Sequence, residues 1–176
     1  MTYTPLFGSS LRIRRKVFVS YHHGGDQHYY DTFSGHFHDN TEVVSDRSLE
    51  RAFDSDDSSY VMRRIREKHI TGSSCTVVLC SPTTPERKYV DWEIAASLDQ
   101  GNGLIGVKLP SLQIYNNGCA KPARLQDNIN SGYAEWTQWD VIMNNPDELV
   151  TQIHTKYPNT TVNLIAAKPS PSRWDK

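Results

Sequence analysis

Glu93 is the residue whose type and placement best suit chemistry. It lies in Arg87-Lys88-Tyr89-Val90-Asp91-Trp92-Glu93-Ile94, just after the most continuously apolar segment of the chain. If a helix begins near Lys88, Glu93 stands about two turns in. Its side chain then leans back toward the helix N-terminus and the strand ends. Tyr89, four residues earlier, shares that face. A lone carboxylate so placed can stand as the anionic neighbour of a developing positive charge. Helical periodicity alone leaves it an ordinary surface acid.

Other constellations carry less. Gly101-Asn102-Gly103-Leu104-Ile105-Gly106 spells the dinucleotide fingerprint GxGxxG. That mechanism needs a strand before the glycines and a helix after them, so that amides meet a pyrophosphate. Here the order is helix first and strand second, and the match is chance. His22, His23, His28, His36 and His38 crowd one region. Metal ligands must converge on one point, and two helical residues two apart diverge by roughly 200°. No metal is expected there, and hydrogen-bonding or solvated histidines are the simpler account. Asp54-Ser55-Asp56-Asp57 lacks the central glycine and distal glutamate of a calcium loop, so it reads as a solvated acidic segment framing a cleft.

The elements that must position Glu93 follow from patterning. Lys16 to Tyr21 reads as a buried strand stopped by Gly24-Gly25. Asp26 is placed to cap a helix through Tyr29, Tyr30, Phe33 and Phe37. Thr41 to Ser45 is a weak second strand, and Asp46 to Asp57 is too charged for a core. A helix follows with Val61, Met62 and Ile65 on one side and Arg63, Arg64 and Arg66 largely off it. Cys75 to Cys80 is apolar except for Thr76, as a central strand covered on both faces should be. Lys88 to Gln100 is a helix stopped by Gly101, and Leu104 to Leu109 is a further strand. Residues 111–135 read as a long Asn/Gly-rich excursion, and Trp139 to Met143 as the last strand. Asn145-Pro146-Asp147-Glu148 opens a final helix with Leu149, Ile153 and Tyr157 in one stripe.

Alternating strands and helices predict an α/β fold, a flavodoxin-like three-layer arrangement with a mostly parallel central sheet between helices. In such sheets ligands sit at the carboxyl ends of the strands. Those ends are Ser20-Tyr21-His22 and Cys80-Ser81. The organisation predicted is an irregular lead-in over 1–15, one domain over 16–165 and a loose tail over 166–176.

The chain has 176 residues, enough for one domain with a real core. With 19 Lys+Arg against 20 Asp+Glu it has no basic surplus for displacing counterions from nucleic acid. No run of 18 apolar residues is present for a membrane span, and mean hydropathy is −0.61. Cys75, Cys80 and Cys119 form no CxxC pair, which suits reduced thiols in a cytoplasmic protein.

Val17-Phe18-Val19-Ser20-Tyr21, then Cys75 to Ser81, then Tyr89 to Ile94, then Leu104-Ile105-Gly106-Val107 together resemble the TIR-like family over roughly residues 16–109. The opening strand ends in the Ser-Tyr pair usual there. The third segment is similar to the family's WxxxE-type helix, with Tyr89 where Trp is frequent. Within the family the chain resembles the TIR-like proteins of bacterial Thoeris anti-phage systems, whose Asp-x-Ser is matched by Asp46-Arg47-Ser48 and whose Thr-rich turn is matched from Thr83.

The resemblance implies cleavage of the nicotinamide–ribose bond of NAD⁺, with Glu93 in the place of the essential glutamate. NAD⁺ would be substrate, with no cofactor besides. The product would be a cyclic ADP-ribose-type messenger that activates a separate effector, with other TIR copies as partners and a phage component as trigger. Nicotinamide leaves as a neutral group, so no strong general acid is needed, while the oxocarbenium ion asks for an anion and held hydroxyls. Phe18, Tyr21, Tyr89 or Trp92 would stack on a base. Arg87 or the arginines of 63–66 would meet phosphates. Ser20, His22, Asp46 and Ser81 would line the strand-end cleft. Two rivals stand beside this reading. One is a non-catalytic TIR-like module acting by self-assembly. The other is a receiver-like switch, disfavoured because the first strand ends in Ser-Tyr-His-His without paired acids.

Overall fold

The structure, a computed structural model, describes residues 14–39, 41–45, 58–115 and 118–155. Five strands form one parallel sheet: β1 (Arg15–Ser20), β2 (Thr41–Val44), β3 (Cys75–Cys80), β4 (Gly103–Lys108) and β5 (Glu135–Gln138), in the order β2-β1-β3-β4-β5. This is the doubly wound order whose reversal point lies between β1 and β3. The flavodoxin-like layout predicted from alternation is the one observed.

Period-two alternation sorts the strands onto two faces. Val17, Val19, Tyr21, Cys75, Val77, Leu79, Ile105 and Val107 point into one core. The helices α1 (His23–Phe37), α5 (Trp139–Asn144) and α6 (Pro146–Thr155) close it with Phe33, Phe37, Ile142, Leu149 and Ile153. The opposite face carries Phe18, Val78, Cys80 and Leu104, covered by α2 (Ser58–Ile65), α3 (Lys88–Asp99) and α4 (Ala123–Asn130). After α2 the chain makes one wide turn over Arg66–Ile70 before β3.

Helix α3 is the pivot of the second face. Val90, Ile94 and Leu98 pack toward β3, β4 and α4, while Trp92 and Ala96 pack toward Phe18, Ile65 and Ile70. Between these stripes runs a polar seam. Glu93 and Ser97 face the sheet one turn apart, and Ser97 Oγ shares a 2.7 Å hydrogen bond with Thr76 of β3 while also donating to the Glu93 carbonyl. Gly101, at φ +70, ends the helix in the left-handed conformation that favours glycine.

Three sequence expectations change. Trp139–Asn144 is a helix, and the last strand is the preceding Glu135–Gln138. Trp139 and Ile142 are buried three apart, a helical spacing that the aromatic and β-branched residues there disguised. The 111–135 stretch contains α4, whose buried face is Arg124, Leu125 and Asn128. Helix α1 begins at His23 rather than after an Asp26 cap, and the backbone leaves helical geometry at Asp26. The segment 46–57, Tyr157 and the 166–176 tail lie outside the described residues, as does nearly all of the 1–15 lead-in, whose last residue, Arg15, begins β1.

Candidate active site

The order of the strands fixes where a site can form. Loops after β1 and β3 leave in opposite directions around the sheet, opening a crevice at the carboxyl ends. Ser20 closes β1 and points to the α3 face, as the alternation from Phe18 requires. Its Oγ donates a 2.5 Å hydrogen bond to Oε2 of Glu93, and the two residues are 0% and 2% exposed. Burying a carboxylate is costly unless donors surround it, so a buried Glu93 is a built feature of this crevice rather than a solvated surface acid.

Around that pair the loop after β3 forms a small hydroxyl array. Ser81 is buried; its amide donates to Thr84 Oγ1 at 2.8 Å and its Oγ lies 3.1 Å from the same atom. Thr83 Oγ1 shares a 3.0 Å hydrogen bond with His22 Nδ1, joining the β1–α1 loop to the β3–α3 loop across the crevice. The His22 ring lies against Gly24 and Gly25, where a Cβ at Gly25 would come 2.9 Å from Nδ1. These contacts bring His22 and Ser81 into one neighbourhood, as their strand-end positions predict.

The aromatic candidates separate. Phe18 has no exposed surface and packs with Ile65, Ile70, Trp92 and Ala96, so in this conformation it is core and offers no face to a base. Tyr21 is 1% exposed, stacked on His23 and on Tyr30, with its hydroxyl donating to Gln27. It too is core. Tyr89 remains half-buried at the edge, in T-shaped contact with Trp92, and Lys88 Nζ stands 5.3 Å and 5.4 Å from the two rings. Arg87 immediately precedes α3 with its Nε buried and unpartnered. Arg63 and Arg64 stack against Tyr60 instead of facing the crevice residues. Asp46 lies outside the described residues.

Two buried charged groups escaped the sequence reading. Arg124 of α4 grips Asp91 of α3 through Nε and Nη2 at 3.3 Å and 3.1 Å. Asp26 of α1 is buried with Oδ2 unpartnered. Neither carries an apolar periodicity signal. Among the described residues no group of three or more His, Cys, Asp or Glu is placed to hold a metal ion, and no helix is long and apolar enough to cross a membrane.

Comparison with known proteins matches residues 18–114, more than half of the chain, to the family model described as Thoeris protein ThsB, TIR-like domain. No curated protein matches. Among solved structures, the chain is similar to the TIR domains of the activated Roq1 resistosome directly recognizing the pathogen effector XopQ. The identity is 15%, the TM-score 0.39, and the match covers 84% of this chain and 85% of that one.

Proposed function

The chain belongs to the family of Thoeris ThsB TIR-like domains, and from that premise we propose that it cleaves the nicotinamide–ribose bond of NAD⁺ at Glu93. The observation that carries this reading is the buried Ser20–Glu93 pair at the strand-order reversal. As the C–N bond lengthens, positive charge gathers on the ribose and its ring oxygen. An oriented carboxylate stabilises that charge where water is excluded and the field is strong. Ser20 fixes one oxygen of Glu93, so little reorganisation is left to the moment of reaction. The nicotinamide departs neutral with the bonding electrons. Attack on the anomeric carbon by a nucleophile from the adenosine half closes the ring to a cyclic ADP-ribose-type product.

Arg87 and Tyr89, at the mouth of α3, would serve the phosphates and a base; His22, Ser81 and, through its own segment, Asp46 would border the sugar. The product would act as a diffusible cytoplasmic signal to an effector in anti-phage defence, with other TIR copies and a phage component as activating partners. NAD⁺ is the substrate, and the reading requires no further cofactor.

The near-complete burial of Glu93 favours a second reading, a non-catalytic module acting by self-assembly. Incubating the purified protein with NAD⁺, alone, with phage lysate and under forced clustering, separates the two. Release of nicotinamide under one of these conditions, abolished by Glu93→Gln, is expected. No nicotinamide under any of them, or full turnover by E93Q, leaves the assembly module.

A further inference from the structure

Asp26 is a buried charged group that the Ser20–Glu93 pair does not use. It is 5% exposed, its Oδ2 is buried without a hydrogen-bond partner, and its backbone breaks the helical geometry of α1 at φ −113, ψ 15. An aspartate opening a helical segment ordinarily accepts from the free amides one turn on. Here no such bond forms, and the only hydrogen bond at Asp26 is its own amide donating to the His22 carbonyl at 2.8 Å. An unpartnered carboxylate oxygen is expensive to bury. Native proteins keep such groups where a partner arrives from outside the chain.

Its location is the same carboxyl edge. Burial first, and Cys119 next, push the Cys80 thiol up; Lys121 opposes them, and Asp26 adds to the rise, so its charge reaches the end of β3. Ser20 pairs in register with Val78, and Cys80 lies two residues further along that face. Two residues of strand are about 7 Å. That is the scale of one pentose with its hydroxyls. The mouth beside Asp26 is backbone only, because Gly24 and Gly25 are exposed and carry no side chain.

Resting on the NAD⁺ reading, we propose that Asp26 accepts hydrogen bonds from the 2′- and 3′-hydroxyls of the ribose whose anomeric carbon faces Glu93. A vicinal diol presents two O–H donors to one carboxylate at no cost in buried charge. A divalent cation would ask for several ligands, and the described residues gather no such set.

Binding of NAD⁺, and of NAD⁺ lacking both hydroxyls on the nicotinamide ribose, is measured by calorimetry on E93Q and on E93Q/D26N. Asp26→Asn should weaken NAD⁺ binding at least tenfold, and the dideoxy analogue should bind E93Q at least tenfold more weakly than NAD⁺. In E93Q/D26N the analogue and NAD⁺ should bind alike. Equal affinities of E93Q for NAD⁺ and the analogue overturn the proposal without any variant at Asp26, as does the absence of NAD⁺ binding. Mg²⁺ or Ca²⁺ binding lost with D26N also overturns it. If E93Q turns over at the wild-type rate, the reading of Glu93 falls, and the Asp26 comparison is then read from KM values.

Discussion

Ser20 Oγ and Glu93 Oε2 lie 2.5 Å apart, tying the last residue of β1 to the second turn of α3. Both belong to the inward seam of the sheet rather than to the surface, and the bond crosses the point where strand order reverses. Holding a carboxylate there needs a donor on the strand and a helix that cannot slide. The second need is met by Ser97 on Thr76 and by Arg124 on Asp91.

Removing either half of the pair has different consequences. Ser20→Ala leaves a buried acceptor without its donor, a loss of about 1–3 kcal/mol. Its urea midpoint should fall accordingly. Glu93→Gln keeps a carbonyl oxygen for the serine proton, so its stability should stay within about 1 kcal/mol of the parent. Nicotinamide release should vanish in E93Q all the same. A midpoint for S20A equal to the parent's shows that the bond holds nothing.

Alkaline pH should destabilise the fold. Burial pushes the thiols of Cys75 and Cys80 up from the ordinary 9.0, and burial then Cys75 push the Tyr133 hydroxyl up, whose proton is donated to the Asn102 carbonyl at 2.6 Å. Raised acids bind more protons folded than unfolded once the unfolded groups ionise. Their stabilisation is therefore complete below pH 9.0 and lost above it. Each thiol contributes a slope of about 1.4 kcal/mol per pH unit there. Urea midpoints between pH 8 and 11 should fall in the parent and fall less steeply in C75A/C80A.

Much of this fold is legible in the sequence because its central elements are redundant in their signals. Cys75–Cys80 is apolar throughout, and α3 is closed by a glycine stop. What the sequence hides is polar burial. Helix α4 turns Arg124 and Asn128 inward with Leu125, so its buried face looks like surface. Strand β5 is only half-buried and lacks an apolar alternation, while the aromatic and β-branched run after it is helical. In the site, Ser20, His22, Ser81 and Glu93 follow from strand-end placement. Phe18 and Tyr21 mislead because aromatics near strand ends suit stacking, yet both are covered by packing that depends on α1 and α2. Asp26 passed for a helix cap, a role its missing hydrogen bonds deny.

Gly106 is fixed by packing rather than by its backbone conformation. A Cβ there would sit 2.7 Å from Trp136 Cε3 and 2.9 Å from Leu125 Cδ2. Neither ring nor α4 can retreat without opening the core beneath it. Gly106→Ala should cost about 1–3 kcal/mol, read as a lower thermal midpoint, and Trp136 fluorescence should shift with it. The double variant G106A/W136L should recover most of the loss.

The Asp91–Arg124 pair sets the last expectation. Its side chains are 6% and 2% exposed, and it joins α4 to the first turn of α3, two residues before Glu93. Arg124→Met strands a buried carboxylate and should cost about 3–5 kcal/mol. Asp91→Leu strands the guanidinium with a similar penalty. Replacing both by apolar groups of like volume removes the uncompensated charge, and such exchanges are often neutral or stabilising by about 1–4 kcal/mol. D91L/R124M should therefore be more stable than either single variant. If the pair only holds α3 in place, the double variant should also restore whatever NAD⁺ turnover the single variants lose, with kcat recovering alongside the urea midpoint. Recovery of the midpoint without recovery of kcat would instead make the charges themselves part of the field around Glu93.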